Sequence, residues 1–506
     1  MKRSADREGF VLISVLIVVV LLTLAAYQFS ELMLSEYRAA DRIQRTAQAR
    51  AFAQSGIDYA LAVLSDPDTF ANTLSGNPFD NPTSFQGIIV APNSNARLQG
   101  RFSLVALTDP EDAGYGGTSA YRYGLSDECA KINMNTLLQV DRSGLIATQI
   151  LMKLPNMTED LASSMLDWID EDEELRTNGA ESQSYSGRTP SYRCKNAQLD
   201  SLEELLYVRN MTTNILFGND RNRNGKLDVG EGDSTLDRGI APYLTIYSRE
   251  LNKSDAGTPR IYLNDSDMKK MQTDLTPILG EDLTNYLILY KINGAATPNS
   301  KPSKAGTTAD LTAAVTKALG GRRVRPKSLS SVLDLVNTQV RIAGENNQPD
   351  TLISSPLSGN ASLRDYLPIL FDQMTTQKAT ELPARVNINN ASRTVISALP
   401  GVTETELGAI LDHRPSTTGG QAIDPIYATP TWLLTEANLP ATKVKAMERY
   451  ITCRTQVYRV QVIGYFDQGG PTVRLEAVID TNQGAPRVLY WRDLTELGKG
   501  MDVRGY

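Results

Sequence analysis

Residues 8–26 read EGFVLISVLIVVVLLTLAA. From Phe10 to Ala26 only Ser14 and Thr23 interrupt the apolar run. As a helix this run spans roughly 26 Å, close to the hydrocarbon thickness of a bilayer. Lys2, Arg3 and Arg7 precede it, so the short N-terminal end is expected to stay cytoplasmic while the bulk folds on the far side. The helix does not end at the membrane edge. Leu32, Ala39, Ile43, Ala47, Ala51, Ile57 and Leu61 recur at three- to four-residue spacing among charged residues such as Glu31, Arg38, Asp41 and Arg50. No Pro or Gly falls between Phe10 and Ser55. The pattern predicts one helix of about 50 residues, half in lipid and half packed on a soluble domain.

The remaining chain is globular. Its 506 residues, 41% hydrophobic and 22% charged, are too many for one ordinary core and imply two to four domains. A net charge of -7 argues against a nucleic-acid partner. The densest basic stretch, Arg322 to Lys327, reads as a solvated loop. Cys129, Cys194 and Cys453 form no CxxC, so zinc is not expected. In an oxidising compartment the three cysteines allow one disulfide, with Cys129–Cys194 the preferred pair, though sequence does not fix the pairing. The single histidine, His413, reads as a surface residue beside Asp412 and Arg414. No Ser-His-Asp set or phosphate-cradling glycine loop is apparent, so no enzyme is expected.

Internal repeats organise the middle. KINMN at Lys131 precedes LPNMTEDLASSMLDWID, and RVNIN at Arg385 precedes LPGVTETELGAILDHRP. Leu154 and Leu399, Pro155 and Pro400, Thr158 and Thr403, Glu159 and Glu404, and Asp167 and Asp412 coincide. A degenerate copy begins with RIYLN at Arg260. Each is followed by a second helical pattern starting at Ser201, Ser328 and Thr431. Thr158 and Thr403 are placed to cap helices, and Thr403 with Glu406 makes a capping box. Strand patterns flank these modules: RFSLVALTD and YRYGLSDE as a hairpin, APYLTIYS near Tyr243, and three alternating runs after Val457. The expected class is α+β: a long N-terminal helix on an antiparallel β-sheet, with inserted all-helical modules of SAM-like or helix-hairpin-helix-like kind.

Glu8-Gly9-Phe10 resembles a prepilin leader, which implies cleavage between Gly9 and Phe10 and N-methylation of Phe10. Most pilins carry Glu at the fifth mature position, where this chain has Ser14. Asp167-Trp168-Ile169-Asp170-Glu171-Asp172, then Gly179-Ala180-Glu181, Tyr185, Tyr192, Asn196 and Leu202 to Leu206, resemble the type II secretion minor pseudopilin K family. That family generally lacks the fifth-position carboxylate. The resemblance implies a single-pass protein of the inner (cytoplasmic) membrane with a periplasmic bulk. It also implies a place at the tip of a short pseudopilus, and partners among the other minor pseudopilins through the N-terminal helix and head. The expected boundaries are a leader at 1–9, a transmembrane half-helix at 10–26, pilin-like helix and first strands at 27–130, and a first helical module at 131–240. A strand and divergent second module at 241–380, a third module at 381–454 and C-terminal strands at 455–506 complete the chain. The segment 254–380 departs from the usual family length and reads as an extra helical module.

Residues 220–231, DRNRNGKLDVGE, fit the twelve-residue calcium loop D-x-[DN]-x-[DN]-G-x5-E at every position. Calcium takes six to eight oxygens. Asp220, Asn222, Asn224 and Asp228 would supply side chains, Lys226 its carbonyl and Glu231 both carboxylate oxygens. Gly225 permits the sharp turn, and Leu227 is expected to anchor the loop in the apolar interior. The resembled family also uses calcium in its α-domain, which implies a second ion near Asp170, Asp172 and Glu181. A competing reading takes NIN followed by LPGV at Leu399 as a helix-hairpin-helix DNA-binding module of an uptake protein, or the chain as a type IV minor pilin. The carboxylates of Glu404 and Glu406 and the negative net charge oppose the DNA-binding reading.

Overall fold

A computed structural model describes residues 5–108, 120–232, 235–297, 302–321, 325–344, 348–498 and 500–503. Of the stretches singled out in the sequence, the start of the leader and the first three residues of the basic run at 322–327 lie outside the described residues. One α-helix runs unbroken from Ala5–Ser65. From Phe10 to Ile43 its large apolar side chains are exposed, and the helix is long and apolar enough to cross a membrane. Burial begins at Ala49 and continues through Phe52, Ala53, Ile57, Ala60 and Val63, a stripe at helical spacing.

This stripe lies on an antiparallel sheet whose main strands are ordered Ile88–Ala91, Gly100–Leu107, Val457–Phe466, Val473–Asp480 and Arg487–Asp493. The strand Val457–Phe466 is central: it pairs antiparallel with the early strand Gly100–Leu107 on one side and with its sequence neighbour on the other. The hairpin read after Arg101 forms, with Ala106 and Leu107 facing Arg122 and Tyr121. Helix and sheet touch almost backbone to backbone. A Cβ on Gly464 would lie 2.2 Å from the Ala49 carbonyl oxygen, and one on Gly56 would lie 2.4 Å from Val462 Cγ1. Only glycine allows that approach. The resulting core joins Phe52, Ile57, Phe102, Leu104, Val462 and Leu475.

The chain between Asp127 and Val457 forms three modules whose apolar cores merge into one, running from Ala130 to Cys453. Each module opens and closes on a two-residue parallel strand pair: Ile132–Asn133 with Leu244–Thr245, Ile261–Tyr262 with Met374–Thr375, and Val386–Asn387 with Ile451–Thr452. The last Asn of each repeat motif holds the returning chain. Asn135 Nδ2 donates to the Leu199 carbonyl at 3.0 Å while its Oδ1 accepts the Leu199 N–H at 2.8 Å. Asn264 does the same with Leu329 at 2.9 and 2.8 Å, and Asn389 Nδ2 donates to the Tyr427 carbonyl at 2.8 Å. The expected caps form: Thr158 accepts the Leu161 N–H, and Thr403 and Glu406 close a capping box. The middle module adds a three-stranded sheet to its helices, with Asp350–Ser354 between Gln339–Ile342 and Ser303–Ala305. The fold is α+β and pilin-like, with the modules inserted between the first and last strands of the sheet.

The expected disulfide is not formed: all three cysteines are free and buried. The elements holding them keep them in different places. Cys129 packs on Val457 and Val478 of the sheet, Cys194 Sγ donates to the Asp167 carbonyl, and Cys453 belongs to the shared core of the modules.

Candidate functional site

Two groups of oxygen ligands stand in the first module. One forms where the helix Glu159–Ile169 ends. Asp167 and Asp170, three residues apart, share a face there, and the extended residue Glu181 returns beside them. Ligand atoms of Asp167, Asp170 and Glu181 lie within 4.8 Å of one another, and all three side chains are buried. Gly179 makes the approach possible, since a Cβ there would sit 1.9 Å from Asp167 Oδ2. The Ala180 N–H donates to Asp167 Oδ2 at 2.8 Å. Arg176 bridges Asp167, at 3.2 Å, and Asp170. Asp170 Oδ1 and both oxygens of Glu181 are buried with no hydrogen-bond donor.

Such orphaned acceptors are costly in a folded interior. Burial, reinforced by the neighbouring carboxylates, pushes Glu181 up to about 7. Burial also pushes Asp170 up to about 6, against the opposing charge of Arg176. Asp167 is raised for the same first reason. Three ionised carboxylates and one guanidinium leave two negative charges uncompensated, and a hard divalent cation matches both that charge and the all-oxygen donor set. Asp172, expected in this set, is exposed and accepts the Glu174 N–H at 2.8 Å; the turn after Asp170 carries it outward, and Asp167 stands in its place. A carboxylate three residues before Asp170 on a helix was the available signal.

The loop 220–231 is differently built. Asp220, Asn222 and Asn224 are buried. Asp220 Oδ1 accepts the Asn224 N–H at 3.0 Å and its Oδ2 the Gly225 N–H at 2.9 Å. Glu231 Oε1 accepts the Arg221 N–H and its Oε2 the Asp228 N–H, both at 2.9 Å. Asp228 Oδ2 accepts the side-chain amides of Asn222 and Asn224, each at 2.7 Å. Gly225 turns at φ 75°, where an added Cβ would press on Leu107 Cδ2 at 2.8 Å. The donor types fit calcium, but the carboxylates Asp220, Asp228 and Glu231 are not gathered as closely as those of the first cluster. Leu227 does not anchor the loop: it is 37% exposed. The loop is held instead from the sheet. Buried Arg474 donates to the Asn222 carbonyl at 2.8 Å and the Arg223 carbonyl at 2.9 Å. Arg474 shares its strand face with Glu476 and Asp480, opposite the face of Val473, Leu475, Ala477 and Ile479 that packs under the stem helix, and nothing in the pattern TVRLEAVID points to the loop.

The other singled-out positions fall as follows. The helix start at Glu404 is filled by its own box: Glu406 Oε2 accepts the Thr403 N–H at 2.9 Å, so an incoming phosphate would meet carboxylates. His413 is exposed, its Nδ1 within 2.9 Å of the Ala409 carbonyl. In the stem, Ser14 Oγ donates to the Phe10 carbonyl at 2.9 Å, one turn back in its own helix.

A membrane-length stem helix continuing as the core helix of an antiparallel sheet defines a pilin-like protein. Residues 130–217, within the first module, match the family model described as "Type II secretion system (T2SS), protein K". The solved GspK-GspI-GspJ complex from the enterotoxigenic Escherichia coli type 2 secretion system contains a chain matching at 13% identity and TM-score 0.36, over 89% of this chain and 97% of that one. No curated protein matches the chain in sequence.

Proposed function

We propose that the chain is a minor pseudopilin of a type II secretion system, placed at the tip of a short periplasmic pseudopilus, where it helps initiate assembly and so protein export. What supports this reading is a segment that matches the protein K family model, carried on a membrane-length stem helix and an antiparallel sheet in one chain. The stem would anchor the protein in the inner membrane with the N-terminus cytoplasmic. A prepilin peptidase would cut between Gly9 and Phe10 and methylate Phe10. Partners would be the other minor pseudopilins, through the exposed stem from Phe10 to Ile43 and through the head. Ser14 offers no carboxylate to a neighbour's terminal ammonium, and three modules of bulk beside the sheet suit an end position better than a repeating one. The role is structural rather than enzymatic.

Calcium would bind both oxygen clusters. At Asp167, Asp170 and Glu181 it would satisfy orphaned acceptors. At Asp220, Asn222, Asn224, Lys226, Asp228 and Glu231 it would occupy a loop that Arg474 already holds to the sheet. Metal that binds only the folded state stabilises it.

Labelling this chain on assembled fibres tests the position. A single copy per fibre end is expected, and many copies along the fibre would overturn the tip role. The processing step is read by intact mass: a wild-type mature chain starting at Phe10 is expected, with full-length precursor from Gly9→Leu. A wild-type chain starting at Met1 would remove the leader from the reading.

A further inference from the structure

The middle and third modules meet the end of the sheet around a cleft of about 660 Å³. Its size is that of a ligand site rather than a packing defect. Apolar side chains, among them Ile369, Phe371 and Leu382, make part of its wall, and three arginines, Arg260, Arg385 and Arg454, reach it from three different segments.

Two of these arginines are occupied. Arg385 forms a two-pronged ion pair with buried Glu250, its Nε donating to Oε2 at 2.8 Å, and its Nη1 donates to the Glu448 carbonyl at 3.2 Å. Arg454 donates to the Lys253 carbonyl at 2.8 Å and to Asp255 at 2.9 Å. Arg260 is different. Its Nε donates to the Asp372 carbonyl at 2.9 Å, and among the described residues its two Nη groups have no hydrogen-bond partner and no carboxylate within ion-pair distance. Burial, with the like charges of Arg385 and Arg454, pushes it down to about 10 although Glu250 acts the other way. A half-buried guanidinium with both Nη groups unmatched is a receptor for a planar two-oxygen anion.

We propose that this cleft binds a carboxylate on the Nη face of Arg260, with the apolar wall taking the chain that bears it. A singly charged carboxylate fits better than a phosphate dianion because Asp372, Asp255 and Glu448 also line the cleft. The carboxylate comes from an acidic peptide segment or from a free organic acid.

The test uses the full chain in detergent and three probes: the peptide acetyl-Leu-Glu-Phe-Asp-Leu-amide, its Gln/Asn counterpart, and sodium succinate. Binding is read by calorimetry or by anisotropy of labelled peptide. The acidic peptide is expected to bind at least ten-fold tighter than the neutral one, with Arg260→Gln removing that difference and Arg260→Lys restoring part of it. Succinate binding as tightly as the acidic peptide assigns the site to a free acid; succinate a hundred-fold weaker assigns it to a polypeptide. Equal binding of the two peptides to the wild type overturns the proposal, whatever the variants do. So does absence of binding by every probe at millimolar concentration, or wild-type affinity in a folded Arg260→Gln.

Discussion

The cluster Asp167, Asp170, Glu181 and the loop Asp220 to Glu231 lie in the same module, yet their carboxylates are in opposite condition. In the loop every carboxylate receives N–H donors, Asp220 and Glu231 from the loop's backbone and Asp228 from two asparagine amides. In the cluster three carboxylate oxygens are orphaned and one arginine serves two acids. A loop that satisfies itself holds its shape without an ion, so an ion adds little to it. A cluster that repels itself would gain more from a cation. On the proposed reading, the tidier sequence motif would therefore mark the site that depends less on metal.

That contrast is open to measurement. The largest effect belongs to the cluster: calcium at a hundred-fold excess over its Kd should add about 2.7 kcal/mol, or roughly 4 °C in melting temperature for a unit the size of the merged modules. Asp170→Asn with Glu181→Gln should remove most of that rise and leave the chelated variant more stable than chelated wild type. A full rise in this variant would transfer the metal dependence to the loop. Next is Arg474→Met, which strips donors from the Asn222 and Arg223 carbonyls and should cost about 2 kcal/mol in calcium and in chelator alike. A cost seen in chelator alone would show that the ion does the fastening instead.

The pH dependence comes third. Glu181 at about 7 and Asp170 at about 6 stand above the ordinary carboxylate range, so the folded chain holds protons that the unfolded chain has released. Stability in chelator should thus be full near pH 4 and fall as pH rises through 6 and 7, by an amount on the order of 1 kcal/mol. Buried Asp127, pushed up to about 6 chiefly by burial, gives a slope of the same sign. The diagnostic quantity is therefore the difference between wild type and Glu181→Gln, and parallel curves would show that the cluster does not take up protons. The smallest effect is the loop's own: with Kd near 10⁻³ M, millimolar calcium adds about 0.4 kcal/mol, lost in Asp220→Ala with Glu231→Ala. A loss of several kcal/mol there would reverse the ranking of the two sites.

What could be read from the sequence followed from locality. The stem helix, the caps at Thr158 and Thr403 and the three C-terminal strands are periodic or contiguous, and they stand where the pattern puts them. The protein K resemblance also rested on a contiguous stretch, and 130–217 carries the family match. Contacts that join distant segments were not legible. Glu181 was placed with Asp170 by the resemblance and not by spacing, because they meet across a turn, and Arg474 reaches the loop from the far end of the chain, which leaves no spacing to read. The preferred disulfide failed for the same reason, since cysteine counting carries no information on which elements hold the thiols apart. Leu227 was assigned by motif position, but it is exposed, and the loop is held from the sheet by Arg474.

The paired end strands of each module have a mechanical meaning. Where a module's entrance and exit lie side by side, as Ile132–Asn133 lies against Leu244–Thr245, tension applied to the chain is carried across that short bridge and does not enter the loop it closes. The same holds at Ile261–Tyr262 with Met374–Thr375 and at Val386–Asn387 with Ile451–Thr452. A push or twist travelling up the stem is then borne by the helix–sheet contact, where Gly464 lets the backbone of Ala49 close in and Gly56 sits on Val462 and Phe102. The modules would then ride beside that strut, with little of its load entering the chain they enclose.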